Sequence, residues 1–240
     1  MTSKSSHEVR SSLIQEFGER DGFLVHVLTS RTAQLALEWR FFLYLFCGPV
    51  DRVRVLNDAS PIVATTLSNT LWDNALTTIR RLTDNVESSS NKNVSLGHLE
   101  LIAGELGRDG LAGRFESLQG TAKPIRKYVD KYIAHADYSA SKGDGKISIT
   151  RGETTHAIKE IVSYVSLFHE VVRDTTYCIL PVTTAADEQQ FLMRLYQGNL
   201  FDALEKDEHL ASAKSGVYRK NFYDDLPQWT WDPEFRDDPF

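Results

Sequence analysis

Apolar residues recur at three- and four-residue spacing along most of the chain, and this period constrains the fold more than any other feature. From Gly22 to Cys47 the series runs Phe23, Val27, Leu28, Leu35, Trp39, Phe42 and Phe46. A helix of 3.6 residues per turn presents such a series to a core on one face. The spacing predicts a long buried helix there, ended by Gly48-Pro49, with a break near Thr29–Thr32 left open. Asp58–Ser60 ahead of Pro61 predicts a new start, because Asp or Ser caps free N–H groups and proline suits the first turn. Leu67, Leu71, Leu76, Ile79 and Leu82 then form a stripe that stops in the polar loop Glu87–Asn93.

The same pattern continues downstream. Ser95 is expected to cap a short helix through Leu106, and another is expected from Asp109 to about Gln119. Pro124 sits early in a helix expected from Ala122 to about His135, with Ile125, Tyr128, Tyr132 and Ile133 as its apolar positions. Tyr138–Gly152 reads as a loop, within which Lys146–Thr150 has strand character but no partner. Thr154 or Thr155 is expected to cap a helix to Cys178, stopped by Pro181. Thr184–Tyr196 and Leu200–Leu210 read as two shorter helices. No β–α alternation and no repeat appears, so the expected class is all-α: an antiparallel helical bundle with a C-terminal helical extension and an irregular acidic tail. The expected division is a flexible N-terminus over 1–20, a bundle over 21–180, an extension over 181–223 and a tail over 224–240.

Charge is unevenly spread. The 240 residues carry a formal net charge of −6. Asp224–Phe240 holds six acids against Arg236, so the remainder is close to neutral. Thr121–Arg151 holds seven bases (Lys123, Arg126, Lys127, Lys131, Lys142, Lys146, Arg151) against three acids, a net of +4. An overall acidic balance therefore does not exclude RNA. Two cysteines, Cys47 and Cys178, rule out a disulfide scaffold and suggest a reducing compartment. The longest apolar run, Phe41–Cys47, is far below the ~20 residues of a membrane span. The first ten residues carry no apolar signal core. Together these give a cytoplasmic expectation with no membrane partner.

Several chemistries lack their signatures. There is no glycine-rich phosphate loop, no Cys-x-x-Cys or His-Glu-x-x-His, and no Gly-x-Ser-x-Gly elbow, so no cofactor and no metal is expected. Most histidines read as isolated on helical segments. The exception is His135 in Tyr128-Val129-Asp130-Lys131-Tyr132-Ile133-Ala134-His135-Ala136-Asp137. A histidine at a helix C-terminus is favoured as a cation by the helix dipole, and it titrates near neutrality, as acid/base work requires. Asp137 is placed to orient the ring, and Lys131, at i−4, to hold a phosphate. The competing reading makes His135 a capping residue and the lysines a solvated face.

The string Val129–Asp137 resembles the Arg-[Asn/Asp]-Lys-x-x-Ala-His-x-Asp segment of HEPN domains, in particular the AbiU2-like group associated with abortive phage infection. A second stretch is similar to that group's helix ending in an Arg-Leu-x-Asp turn before an Asn-x-Ser-Leu helix start. Here it runs from Leu71-Trp72-Asp73-Asn74-Ala75 through Ile79-Arg80-Arg81-Leu82-Thr83-Asp84, followed by Asn93-Val94-Ser95-Leu96. The resemblance covers about residues 20–178. It implies a helical bundle that dimerises and places Arg and His motifs from two chains around one cleft. Active members are metal-independent ribonucleases. There the histidine serves as acid or base on the ribose 2′-hydroxyl and leaving oxygen, and the arginine stabilises charge on the phosphate. Other members are non-catalytic and serve in dimerisation or binding.

The sequence departs from the pattern at the arginine, which falls on Val129. The nearest replacement is Arg126, one turn back and about 60° around the helix. Lys131 is the other, a charge without a bidentate fork. Arg80 and Arg81 with Asp84 read as a structural ion-pair or turn-capping set. Two functions follow as expectations for a defence or toxin-type protein. The first is a metal-independent endoribonuclease with His135, Arg126 and Lys131 as catalytic residues and Lys123, Lys127 and Asp137 as substrate contacts. The second is an inactive HEPN-like module that dimerises or binds a protein partner of antitoxin type. The expected partners are a second copy, RNA or such a protein. A third expectation is a self-contained toxin–antitoxin arrangement in which the acidic tail Asp224–Phe240 covers the basic segment.

Overall fold

The computed structural model describes residues 5–88, 91–134, 147–177 and 187–216. Among these, eight α-helices carry the fold: α1 Ser6–Phe17, α2 Glu19–Phe46, α3 Val50–Ala59, α4 Pro61–Leu82, α5 Gly97–Glu105, α6 Arg114–Tyr128, α7 Arg151–Arg173 and α8 Asp187–Lys214. A 3₁₀ turn, Asp109–Leu111, precedes α6, and a π turn, Val129–Ile133, follows it. The only ladder among the described residues is an antiparallel pair, β1 Glu87–Ser88 with β2 Asn91–Lys92 and Glu87 opposite Lys92. It lies inside the stretch expected as a polar loop. Residues 147–150, expected to have strand character, form none.

Four helices close a ring, with α2 on α4, α4 on α6, α6 on α7 and α7 back on α2. Inside the ring Leu28 and Leu35 of α2 meet Leu76, Ile79 and Leu82 of α4, Ile125 of α6, and Ile161, Val165 and Phe168 of α7. Each is at most 1 % exposed, so these members of the expected stripes are buried; Phe23, expected on the α2 stripe, is instead 40 % exposed, with the Arg10 guanidinium over its ring. Burial at about 25 cal/mol per Å² makes this the main source of stability. Trp39 stacks on Phe42 with ring centres 4.9 Å apart, and Trp72 of α4 lies 5.7 Å from Trp39, locking α2 to α4.

Several expected boundaries move. Helix α2 runs unbroken through Thr29–Thr32, because both threonines are buried and the flanking leucines hold one face. Residues 6–17, inside the stretch expected to be flexible, form α1. It is closed by a capping box between Ser5 and Glu8 and buries Leu13 against α2. The crossing is backbone on backbone: a Cβ at Gly22 would lie 2.4 Å from the Leu13 carbonyl oxygen. Helix α3 has no counterpart among the expected elements. It buries a single residue, Leu56, too few for a periodic signal. At α4 the expectation holds, with the Ser60 hydroxyl accepting from the Val63 N–H and Pro61 at the first position.

Ser95 does not cap α5. Its hydroxyl is buried without a partner among the described residues. The two helices expected around Gln119 and Pro124 are one, α6, which carries Pro124 in its interior. Leu118, Ala122 and Ile125 on the buried face offset the lost N–H bond of the proline. Helix α7 starts one turn earlier than expected, capped by Thr150 in a box with Glu153, and ends at Arg173 with Asp174 at φ 51°. The two helices expected beyond Pro181 form one, α8. Leu192 joins a small second core with Leu45, Leu56 and Ala64, and Asn199 donates to the Val55 carbonyl at 2.9 Å. Residues 178–186 and the tail from 217 lie outside the described residues, as does the expected stop at Pro181.

Candidate functional site

The segment singled out by sequence begins on α6. Glu100 of α5 fastens the start of that helix, its carboxylate accepting from the backbone N–H of Gly113 at 2.9 Å and of Phe115 at 3.0 Å. Gly113, at φ 71°, makes the left-handed turn that aims the helix. The first half of α6 is joined to the end of α4 by Gln119, whose amide donates to the Thr83 carbonyl at 3.0 Å and to the Asn85 side chain at 2.8 Å. The Thr83 hydroxyl donates to the Ile79 carbonyl at 2.8 Å and closes the α4 C-terminus. The Arg-Leu-x-Asp turn is therefore where α4 and α6 are fixed to each other.

After Tyr128 the ladder widens by one residue. The Ala134 N–H donates to the Val129 carbonyl at 2.8 Å, an i→i+5 bond. Such single π turns concentrate at functional sites, and this one falls on the motif. It turns Val129 inward, where it is 1 % exposed and belongs to the main core. Val129, onto which the resemblance maps an arginine, is thus a packing position.

The charged residues around it are paired. Asp84 accepts from Arg80 at 3.1 Å and, on its other oxygen, from Arg126 at 2.9 Å. Arg80 also donates to Asp130 at 2.5 Å. The result is a chain of alternating charge, Arg126–Asp84–Arg80–Asp130, with no net charge. The Asp130 hydrogen bond raises the Arg80 pKa; burial opposes this, and the charges of Asp84 and Asp130 reinforce it. Of the expected set, Arg80 and Asp84 do pair, while Arg81 is outside the pairing and borders a polar hollow with Glu38 and Asn74.

The candidate residues distribute as follows. Arg126 is in the last turn of α6, its side chain 27 % exposed and bound to Asp84, which is 18 % exposed. Lys131 is in the π turn, its ammonium 5.6 Å from the centre of the Tyr132 ring. Lys123 and Lys127 are exposed on α6, one turn apart. His135 and Asp137 lie outside the described residues, directly after Ala134. The structure brings Arg126 together with Asp84, Arg80 and Asp130. No group of His, Cys, Asp and Glu that could hold a metal occurs among the described residues.

A second histidine gains a defined environment. His169 of α7 is 1 % exposed, 3.1 Å from the Thr29 hydroxyl, and stacked on Tyr177 with ring centres 4.3 Å apart. Burial, then the nearby Arg173, lowers its pKa to about 4. Arg173 is itself bound to Glu16 of α1 at 2.9 Å. These contacts tie α1, α2 and α7 together. The pairings Asp84–Arg126 and Arg80–Asp130 were not readable in the sequence, because 42 and 50 residues separate the partners. The only local signal is the i,i+4 spacing of Arg80 and Asp84.

Among the described residues no helix is long and apolar enough to cross a membrane. A family model, HEPN_AbiU2, described as AbiU2, matches residues 19–190. No curated protein and no solved structure matches the chain.

Proposed function

The chain belongs to the HEPN AbiU2 family, a group associated with abortive infection, and from this premise we propose that it is a non-catalytic HEPN module acting by dimerisation or by holding a protein partner. One observation carries the reading: Val129 is packed into the core at the position of the family's arginine. The nearest arginine does not substitute freely. For Arg126 to reach a phosphate it must leave Asp84, stripping a largely buried carboxylate of one of its two cations. A hydrogen bond to a charged group contributes about 1.5–3 kcal/mol, so the exchange weakens phosphate binding about ten- to a hundredfold.

The test incubates purified protein with labelled RNA, beside a His135→Ala variant. No cleavage by either is the expected result, together with a dimer by light scattering at micromolar concentration. Cleavage by the unsubstituted protein that His135→Ala abolishes overturns the proposal, and a monomer counts against the dimerising form of it.

The metal-independent ribonuclease is the second reading, favoured by the π turn on the motif. In it His135 is the acid or base, Arg126 trades Asp84 for phosphate, and Lys131, Lys127 and Lys123 guide the RNA backbone. The same assay separates the two.

A further inference from the structure

Helices α2 and α4 run antiparallel where they meet, since Trp39 lies against Trp72 and Glu38 accepts from the Asn74 amide. Seven residues back along α2 from Glu38 stands Arg31, and seven residues on along α4 from Asn74 stands Arg81. Seven residues make about two turns, or about 10 Å of rise, so both arginines stay on the facing sides and reach the same level. They border one polar hollow of about 190 Å³, together with Gln34, Glu38, Asn74 and Thr78. Leu35 and Leu82, both buried in the core, close it on the inner side.

The charges in the hollow are unbalanced. Helices α2 and α4 carry five arginines. Arg20, Arg40 and Arg80 each have a carboxylate at ion-pair distance. Arg31 and Arg81 have none among the described residues, and they are the two that share the hollow. Its one acid, Glu38, is engaged by amides: Oε1 accepts from Gln34 at 2.8 Å and Oε2 from Asn74 at 2.5 Å. Two cations set around one hollow with an apolar floor call for an anion.

The shape of the donors selects the anion. A guanidinium presents its N–H groups as a flat fork that matches two oxygens of one group. A carboxylate has two oxygens, enough for one fork, and a phosphodiester likewise has two free ones. A terminal phosphate has three, or four when free, and so accepts a fork from each side. The hollow is smaller than the about 300 Å³ at which sites for whole small molecules begin, so it holds the phosphoryl group and leaves any substituent outside.

We propose that this hollow binds a terminal phosphate, as orthophosphate or as the head of a phosphate monoester, between the guanidinium groups of Arg31 and Arg81, with the Thr78 hydroxyl as a further donor. The site is built from α2 and α4 alone and uses no residue of the α6 motif, so it stands whether or not the chain cuts RNA. Arg81 belongs to the Arg-Leu-x-Asp turn, and the site gives it a role that the pairing of Asp84 does not.

The full chain is titrated calorimetrically, at constant ionic strength, with orthophosphate, phenyl phosphate and dimethyl phosphate. Saturable binding of orthophosphate or phenyl phosphate is expected, and the tighter of the two tells a free ion from an ester head. Arg31→Gln and Arg81→Gln should each weaken that binding at least about tenfold. Arg54→Gln, an exposed arginine on α3, should leave it unchanged within about twofold. Glu38→Gln removes the one acid of the hollow and should tighten binding about twofold, a gain that a damaged fold cannot produce. The proposal is overturned by no saturation with either monoester or orthophosphate up to about 10 mM, or by equal weakening in Arg54→Gln. Dimethyl phosphate binding as tightly as phenyl phosphate overturns it as well.

Discussion

Asp84→Asn removes the charge that joins two helices while keeping the side chain's shape. Asp84 accepts from Arg80 at 3.1 Å and from Arg126 at 2.9 Å. In the variant Arg80 retains Asp130, but Arg126 loses its only ion-pair carboxylate among the described residues. The three side chains nearest the break are 18, 27 and 33 % exposed, so water compensates for part of the loss. A hydrogen bond to a charged group contributes about 1.5–3 kcal/mol, and exposure places the expected loss near about 2 kcal/mol. For a chain of this size that lowers Tm by about 4–8 °C. Urea unfolding should show a lower midpoint with an unchanged slope, because little surface changes. Arg126→Gln alone should cost a similar amount, and the double variant should cost about 1–2 kcal/mol less than the sum. A loss below about 0.5 kcal/mol, or strict additivity, would refute the view that this pair fixes α6 to α4. The variant also bears on function. It frees Arg126, so it should strengthen salt-sensitive RNA binding if that arginine can reach phosphate at all.

Two further predictions concern the packing around α1. His169 is held neutral, its pKa lowered to about 4 from 6.5, so the folded state binds its proton later than the unfolded chain. Its contribution is complete above pH 6.5 and is lost as pH falls towards 4; the gap corresponds to about 3 kcal/mol. His169→Gln, which cannot titrate, should therefore lose about 2 kcal/mol less stability than the unsubstituted protein between about pH 7 and 4.5, and equal acid losses in urea titrations would contradict this. Gly22→Ala should cost about 1–3 kcal/mol, since its Cβ would meet the Leu13 carbonyl oxygen at 2.4 Å. Faster amide exchange confined to Ser6–Phe17 would show α1 being pushed off, and unchanged exchange there would rule out the close crossing.

Elements with a continuous apolar face were legible in the chain. Leu71, Leu76, Ile79 and Leu82 mark α4, and Ser60-Pro61 marks its start by a local hydrogen bond. Elements held by their surroundings were not. Helix α3 buries only Leu56 and is fixed between α4 and α8. Pro124 reads as a helix start by local rules and stands inside α6 because the buried face on either side outweighs one lost bond. The π turn leaves no compositional mark, since its cost is one widened hydrogen bond and its reward is the burial of Val129.

The candidate site divides along the same line. The order and spacing of the motif residues were enough to identify the family, because they are properties of the chain in one dimension. So was the valine at position 129, where the resemblance leads one to expect arginine. What became of the neighbouring charges was decided only in three dimensions. Arg126 is as well placed in the sequence to serve a phosphate as to serve a carboxylate. It serves Asp84 because the ring of helices brings α4 and α6 side by side and sets a mostly buried arginine against a mostly buried acid. A periodic pattern fixes which face of a helix is buried, but the partner of each charge on that face follows from which helix packs against it.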